Sequence, residues 1–336
     1  MTASKPRVLF FSPVRHALAT FEALGRIAHV ELVTSKSRSE FFNDIQEKYH
    51  DIVVIYRTSS SGVVAGKFDA EFIARLPTSL KFICHNGAGY DQIDVEACRV
   101  RGIAVTHAPD PVTNATADLT IFLLLGALRQ LNPAIYSLRK GNFKNGLDFG
   151  HDPQGKTLGI LGMGRIGRAV VQRIIPFGMK PTYHNRTKLP DEEAGGAIYV
   201  SFDDLLSQSD VISIHVPLSK ETRHLISERE ISRMKRGVVI INTARGPIID
   251  EKATAIALDK GHIASVGLDV YEAEPEVEER LVKNERALLI PHLGTHTTET
   301  LAQMEEFAME NARRAVLGEE LLNVAPELRS GMGYNL

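Results

Sequence analysis

The chain has 336 residues, enough for about two domains. Its 43% hydrophobic and 24% charged content is that of a globular protein and excludes a disordered one, which lacks the apolar surface to fold. The 39 Lys and Arg against 41 Asp and Glu leave a formal net charge of −2, so no nucleic-acid partner is expected.

Residues 8–11 read as a first strand, followed by an amphipathic helix over 16–27. Strand 30–33, helix 40–49 and strand 52–56 come next. A turn of Ser59, Ser60, Ser61 and Gly62 leads to a helix over 70–76 and a strand over 82–85. Helix 95–101 and strand 103–106 close this block. Strict alternation of strand and helix predicts a parallel sheet covered on both faces. A long Ala- and Leu-rich helix is predicted from Asn114 to about Leu131, then a polar loop over 141–153. A second alternating series places strands at 157–161, 181–184, 211–215, 238–242, 265–268 and 288–290. A last amphipathic helix spans 298–317.

The fold class is therefore α/β, with two doubly wound parallel sheets rather than one, because sheets beyond about ten strands tend to split. The last helix has no strand partner nearby, so it is expected to pack back on the first unit. The expected division is 1–110 with 297–336, and an inserted unit of 111–296. A ligand is expected at the cleft between two such units.

Two cysteines, Cys84 and Cys98, cannot build a disulfide scaffold and suit a reducing compartment. The longest apolar stretch, 119–128, falls short of the roughly 20 residues of a membrane span. The N-terminus reads as a strand ending in Ser12-Pro13, not as a secretory core. The C-terminal Tyr334-Asn335-Leu336 matches no address. A cytoplasmic protein with no membrane partner is expected.

Gly162-Met163-Gly164-Arg165-Ile166-Gly167 is a G-x-G-x-x-G between an apolar strand and a helical period. In that context the first glycine makes a tight turn, the second admits a pyrophosphate and the third lets helix and strand pack. The phosphates then meet the helix N-terminus. Where a dinucleotide site usually carries an acidic residue for the ribose 2′-hydroxyl, the chain has Asn185-Arg186-Thr187-Lys188. The uncharged Asn185 removes repulsion, and Arg186 can pair with a 2′-phosphate. NADP(H) is the expected cofactor, with NAD(H) possible.

Three polar residues stand where strands end: Arg245, Glu274 and His292. A histidine can deliver a proton to a carbonyl, a neighbouring carboxylate stabilises the protonated ring, and an arginine can hold a carboxylate. His292 and His296 have an H-x-x-x-H spacing, but Pro291 and Gly294 make a helix there improbable, so no metal is expected.

These motifs together resemble the D-2-hydroxyacid dehydrogenase family. The resemblance runs from Asn86-Gly87-Ala88-Gly89-Tyr90-Asp91 to the final helix. Tyr183-His184-Asn185-Arg186-Thr187-Lys188, Pro291-His292-Leu293-Gly294-Thr295-His296 and Met304-Glu305-Glu306-Phe307 look most like its fungal-type glyoxylate/hydroxypyruvate reductases. The resemblance implies a Rossmann dinucleotide-binding domain inserted into a flavodoxin-like substrate domain. It implies that Arg245 binds substrate, Glu274 supports His292, and His292 is the acid/base. Asp269 is expected to hold the nicotinamide carboxamide. The N–H groups of Ala88 and Gly89 are expected to grip the substrate carboxylate, with Arg57 lining the pocket. His215, Pro217, Thr243 and Gly294 fall in further matching pieces expected to contact the cofactor. A homodimer is implied, with the helix after Asn114 in its interface.

The expected activity is reduction of small 2-keto acids, glyoxylate and hydroxypyruvate first, to D-2-hydroxy acids. Larger acids such as mandelate or branched-chain 2-hydroxy acids are the alternative within the class. A dinucleotide-sensing corepressor on the same fold is the rival from another class. A two-lobed periplasmic binding protein is disfavoured by the glycine turn and the N-terminus.

Overall fold

The computed structural model describes residues 5–329, so the Tyr334-Asn335-Leu336 terminus and Met1 lie outside the described residues. The chain divides into two compact units, Thr113–His296 and the segments on either side of it.

The first unit holds a parallel sheet of five strands: β1 (Arg7–Phe10), β2 (His29–Leu32), β3 (Ile52–Thr58), β4 (Phe82–Asn86) and β5 (Ala104–Thr106). Their order, β2-β1-β3-β4-β5, is the flavodoxin-like one. Alternate residues face opposite sides of a strand. Leu9, Ile55 and Ile83 accordingly enter one core with Phe41 and Phe72. Val8, Val54 and Cys84 enter another on the opposite face. That second core is closed by the last helix, Thr298–Leu317, through Ala308, Met309 and Ala312. Thr297 caps this helix, its hydroxyl accepting from the Thr300 N–H at 3.1 Å, and Gly318 at φ 70° ends it.

The second unit holds seven parallel strands: β6 (Thr157–Leu161), β7 (Lys180–His184), β8 (Ile198–Tyr199), β9 (Val211–Ile214), β10 (Val238–Asn242), β11 (Ile263–Leu268) and β12 (Ala287–Leu289). Their order, β12-β11-β10-β9-β6-β7-β8, is the dinucleotide-binding order with one strand added at the edge. The two-residue edge strand β8 carries too short an apolar run to be seen in the sequence.

The long helix differs from expectation. It runs Thr113–Leu128, and a second helix, Leu131–Arg139, leaves it at 71°. Gln130 breaks it by adopting φ 50°, the left-handed region. Pro133 then sits in the first turn of the new helix, where an N–H would lack an intrahelical acceptor. No single helix among the described residues is long and apolar enough to cross a membrane.

Candidate active site

Each glycine of the turn after β6 meets a different constraint. Gly162 has φ +101°, and a Cβ there would lie 2.6 Å from the Val216 nitrogen. Gly167 packs so closely that a Cβ would stand 2.5 Å from the Gly162 carbonyl oxygen. A Cβ on Gly164, the N-cap of helix Arg165–Ile174, would meet nothing within 4 Å. Open space therefore adjoins the N-terminus of that helix, whose first N–H groups favour an anion.

Asn185 follows β7, and its Oδ1 accepts from the Met163 N–H at 2.7 Å. This ties the loop after β7 to the glycine turn and leaves the amide nitrogen, a donor, as the remaining polar end. Arg186 and Thr187 are exposed, and Arg186 makes no hydrogen bond or ion pair among the described residues. Lys188 differs, since Asp191 lies 3.1 Å away and balances its charge.

After β9, the His215 ring pairs through Nε2 with the Ser213 hydroxyl at 2.8 Å. Burial pushes it down to about 3, so the imidazole is neutral at physiological pH. Pro217 follows, and its carbonyl accepts from the Thr222 hydroxyl at 2.6 Å. After β10, the Thr243 hydroxyl is 2.8 Å from that of Thr120 on the long helix.

Arg245, Glu274 and His292 come together at the ends of β10, β11 and β12. Asn242 shapes the first turn, accepting from the Ala244 N–H at 3.0 Å and donating to the Arg245 carbonyl at 2.9 Å. Gly246 then lets this turn press on the loop after β11, since a Cβ there would stand 1.9 Å from the Tyr271 carbonyl carbon. In that loop, Glu274 Oε1 accepts from the Tyr271 N–H at 3.0 Å, and Oε2 lies 2.8 Å from His292 Nδ1. Burial alone would raise the Glu274 carboxyl. The hydrogen bond and charge of His292, the Tyr271 N–H and the charge of Arg245 outweigh it and hold Glu274 below its ordinary value. His292 Nε2 faces away from that pair and makes no hydrogen bond among the described residues.

Asp269, 1% exposed, holds the histidine turn. Its carbonyl accepts from the His292 N–H at 2.8 Å, and its two carboxylate oxygens accept from Leu293 (2.5 Å) and Gly294 (2.8 Å). Burial pushes the Asp269 carboxyl up, against these bonds and the charge of His292. The three bonds hold His292 at φ 54°, a left-handed backbone region uncommon for residues other than glycine. The sequence reading missed this clamp, along with the roles of Asn242 and Tyr271 in shaping the loops. An open cavity of about 510 Å³ adjoins Glu274 and His292, lined on its apolar side by Val277, Val282, Leu289 and Ile290.

In the first unit, Ala88 and Gly89 lie in the loop after β4, and their N–H groups donate to nothing among the described residues. Arg57 departs from expectation. It does not line an open pocket: it is 1% exposed, with its guanidinium turned onto His85 and Gln92 and over the Phe68 ring. Its place as the sixth residue of β3, in register with His85 of β4, points it into the sheet's flank. Among the described residues, no group of three or more His, Cys, Asp or Glu could hold a metal ion.

Residues 121–294 match the family model of the D-isomer specific 2-hydroxyacid dehydrogenase, NAD binding domain. The chain is 49% identical to 4-methyl-2-oxopentanoate reductase A of Aspergillus oryzae, over 97% of this chain and 99% of that protein. It is 45% identical to glyoxylate reductase 1 of Saccharomyces cerevisiae, over 98% of this chain and 97% of that one. The crystal structure of a glyoxylate reductase from Paecilomyes thermophila superposes with a TM-score of 0.94 at 50% identity, covering 96% of this chain and 99% of that one. With these sheets, this glycine turn and this likeness along its length, the chain belongs to the D-isomer specific 2-hydroxyacid dehydrogenases, a family of oxidoreductases.

Proposed function

We propose that the protein reduces small 2-keto acids, glyoxylate and hydroxypyruvate first, to D-2-hydroxy acids with NADPH. The observation that carries this reading is the 2.8 Å contact of His292 Nδ1 with an anionic Glu274, which leaves Nε2 as the exchanging edge. In this reading Nε2 gives its proton to the keto oxygen. Glu274 fixes the ring's orientation and the position of the Nδ1 proton. Arg245 holds the substrate carboxylate and polarises the ketone. In the first unit, the Ala88 and Gly89 N–H groups are the donors assigned to a substrate carboxylate.

The open space at Gly164 and the helix N-terminus behind it fit a dinucleotide pyrophosphate. A bound reduced nicotinamide supplies the hydride. His215, Pro217, Thr243, Asp269 and Gly294 form the strand-end rim beside which it would lie. Arg186, exposed and without an ion pair, favours a 2′-phosphate and hence NADPH over NADH. The unit Thr113–His296 is then the dinucleotide domain and the flanking segments the substrate domain. Exposed Phe122, Ile135, Tyr136 and Leu138 on the two consecutive helices support a homodimer through them.

The apolar cavity beside His292 favours a second reading, a keto acid with a larger branched or aromatic side chain. The test is loss of absorbance at the reduced-nicotinamide band. Rapid NADPH loss with glyoxylate supports the first reading, and loss only with 4-methyl-2-oxopentanoate or benzoylformate supports the second. No loss with any of them overturns both and leaves the corepressor, to be sought by nucleotide-dependent partner capture.

A further inference from the structure

The loop after β4 is anchored through three consecutive carbonyls. The Gly87 carbonyl accepts from the Ala108 N–H at 2.8 Å. The Ala88 carbonyl lies 2.8 Å from His107 Nδ1, and the Gly89 carbonyl 3.0 Å from His85 Nε2. In a planar trans peptide, C=O and the following N–H point in opposite directions. Holding these three carbonyls therefore turns the N–H groups of Ala88, Gly89 and Tyr90 the other way, where they donate to nothing among the described residues. Successive N–H groups presented together form an anion-binding nest.

The third anchor depends on a buried cation. Arg57 Nη1 lies 3.1 Å from His85 Nδ1, and Nη2 donates to Gln92 Oε1 at 2.7 Å. The guanidinium stacks 5.0 Å from the centre of the Phe68 ring. Burial lowers Arg57 to about 10, which still leaves it charged at neutral pH. A guanidinium has donors only, so His85 Nδ1 must accept. Nε2 then carries the proton and donates to Gly89. There is no slack in the stack, because a Cβ on Gly87 would stand 2.6 Å from His85 Nε2.

We propose that Arg57 is a positioning residue for substrate: acting through His85, it locks the peptide between Gly89 and Tyr90 and presets the nest for a carboxylate. This rests on the reading that the loop grips the substrate carboxylate, and it adds the Tyr90 N–H as a third donor. The same geometry explains a charged residue, with its Nε buried and unpartnered, in the flank of a sheet.

The test uses the full chain with NADPH and a 2-keto acid, and the unreactive dicarboxylate oxalate as a binding probe in the presence of NADP⁺. His85→Phe keeps the ring but loses both nitrogens, and Arg57→Met keeps the length but loses the donors. Both are expected to raise the keto-acid KM and weaken oxalate binding by about 10–100-fold, with kcat and the NADPH KM changed by less than about threefold. His85→Gln should recover most of that loss, since its amide can accept from Arg57 and donate to Gly89. A purely structural role would lower kcat, both affinities and thermal stability together, and would not separate Gln from Phe. If Arg57→Met does not fold, the two His85 variants decide alone. A wild type that reduces keto acids while His85→Phe leaves KM and oxalate affinity unchanged overturns the relay and spares the function. A wild type that neither reduces keto acids nor binds oxalate overturns the function and the relay together.

Discussion

Replacing Glu274 by glutamine changes one oxygen for an amide nitrogen and removes one charge. The carboxylate takes part in two hydrogen bonds, to the Tyr271 N–H at 3.0 Å and His292 Nδ1 at 2.8 Å. With its one oxygen on the Tyr271 N–H, glutamine turns its NH2 donor to His292 Nδ1, which can then only accept, so the charged hydrogen bond to a protonated ring is lost. Losing a charged hydrogen bond costs about 1.5–3 kcal/mol, or roughly 10–100-fold in rate if the bond supports the transition state. The Glu274 side chain is 37% exposed, so water weakens the pair and the expectation sits near tenfold, at the lower end of about 10–100-fold. The assay is kcat for glyoxylate or 4-methyl-2-oxopentanoate, measured by NADPH absorbance from pH 5 to 9. The keto-acid KM should move little, because Glu274 acts through His292. The stability of the protein should change with it. A carboxyl lowered by folding contributes stability that is complete above its ordinary value, 4.5 here, and is lost as the pH falls through the folded value. Glu274→Gln should remove that acid-side loss. A variant with wild-type kcat at every pH would refute the assignment of Glu274 as the support of an acid/base histidine.

Three further outcomes follow from the same geometry. Arg186→Ser should raise the KM for NADPH by roughly 10-fold and leave that for NADH nearly unchanged, by removing one exposed phosphate partner; equal effects on both would show that Arg186 does not read the 2′-phosphate. Gly164→Ala should fold normally but lose dinucleotide affinity in fluorescence titration. Gly167→Ala should instead lose stability, by about 1–3 kcal/mol in a denaturant melt, because its Cβ meets the Gly162 carbonyl at 2.5 Å. Identical behaviour of the two would contradict their separate constraints. Asp269→Asn can accept from only one of the Leu293 and Gly294 N–H groups. It should lower kcat and raise hydrogen exchange in the 291–294 turn, and unchanged exchange there would contradict the clamp.

Much of the fold follows from local pattern. Strands such as Val211–Ile214 and Val238–Asn242 are buried on both faces, so they read as continuous apolar runs with helical periods between them. The glycine turn is legible because its three glycines fall within six residues, directly between an apolar strand and a helical period. The positions of Arg245, Glu274 and His292 are legible because parallel strands deliver their C-terminal loops to one edge. What failed locally was short or conformationally rare. The edge strand Ile198–Tyr199 has no pattern of its own, and the left-handed Gln130 carries no glycine to announce it.

Other properties belong to the tertiary structure alone. Arg57 looks like a pocket residue in the sequence, yet register with His85, 28 positions away, turns it inward. That Asp269 also clamps a turn 24 and 25 residues further on shows only in the folded chain. His292 is set in its unusual backbone by that clamp. Amino-acid type and spacing determine which segments become strand, helix or turn, because those choices are decided by neighbours a few residues apart. The direction in which a buried polar side chain points is decided by which distant group satisfies it, and only the folded chain brings that group near.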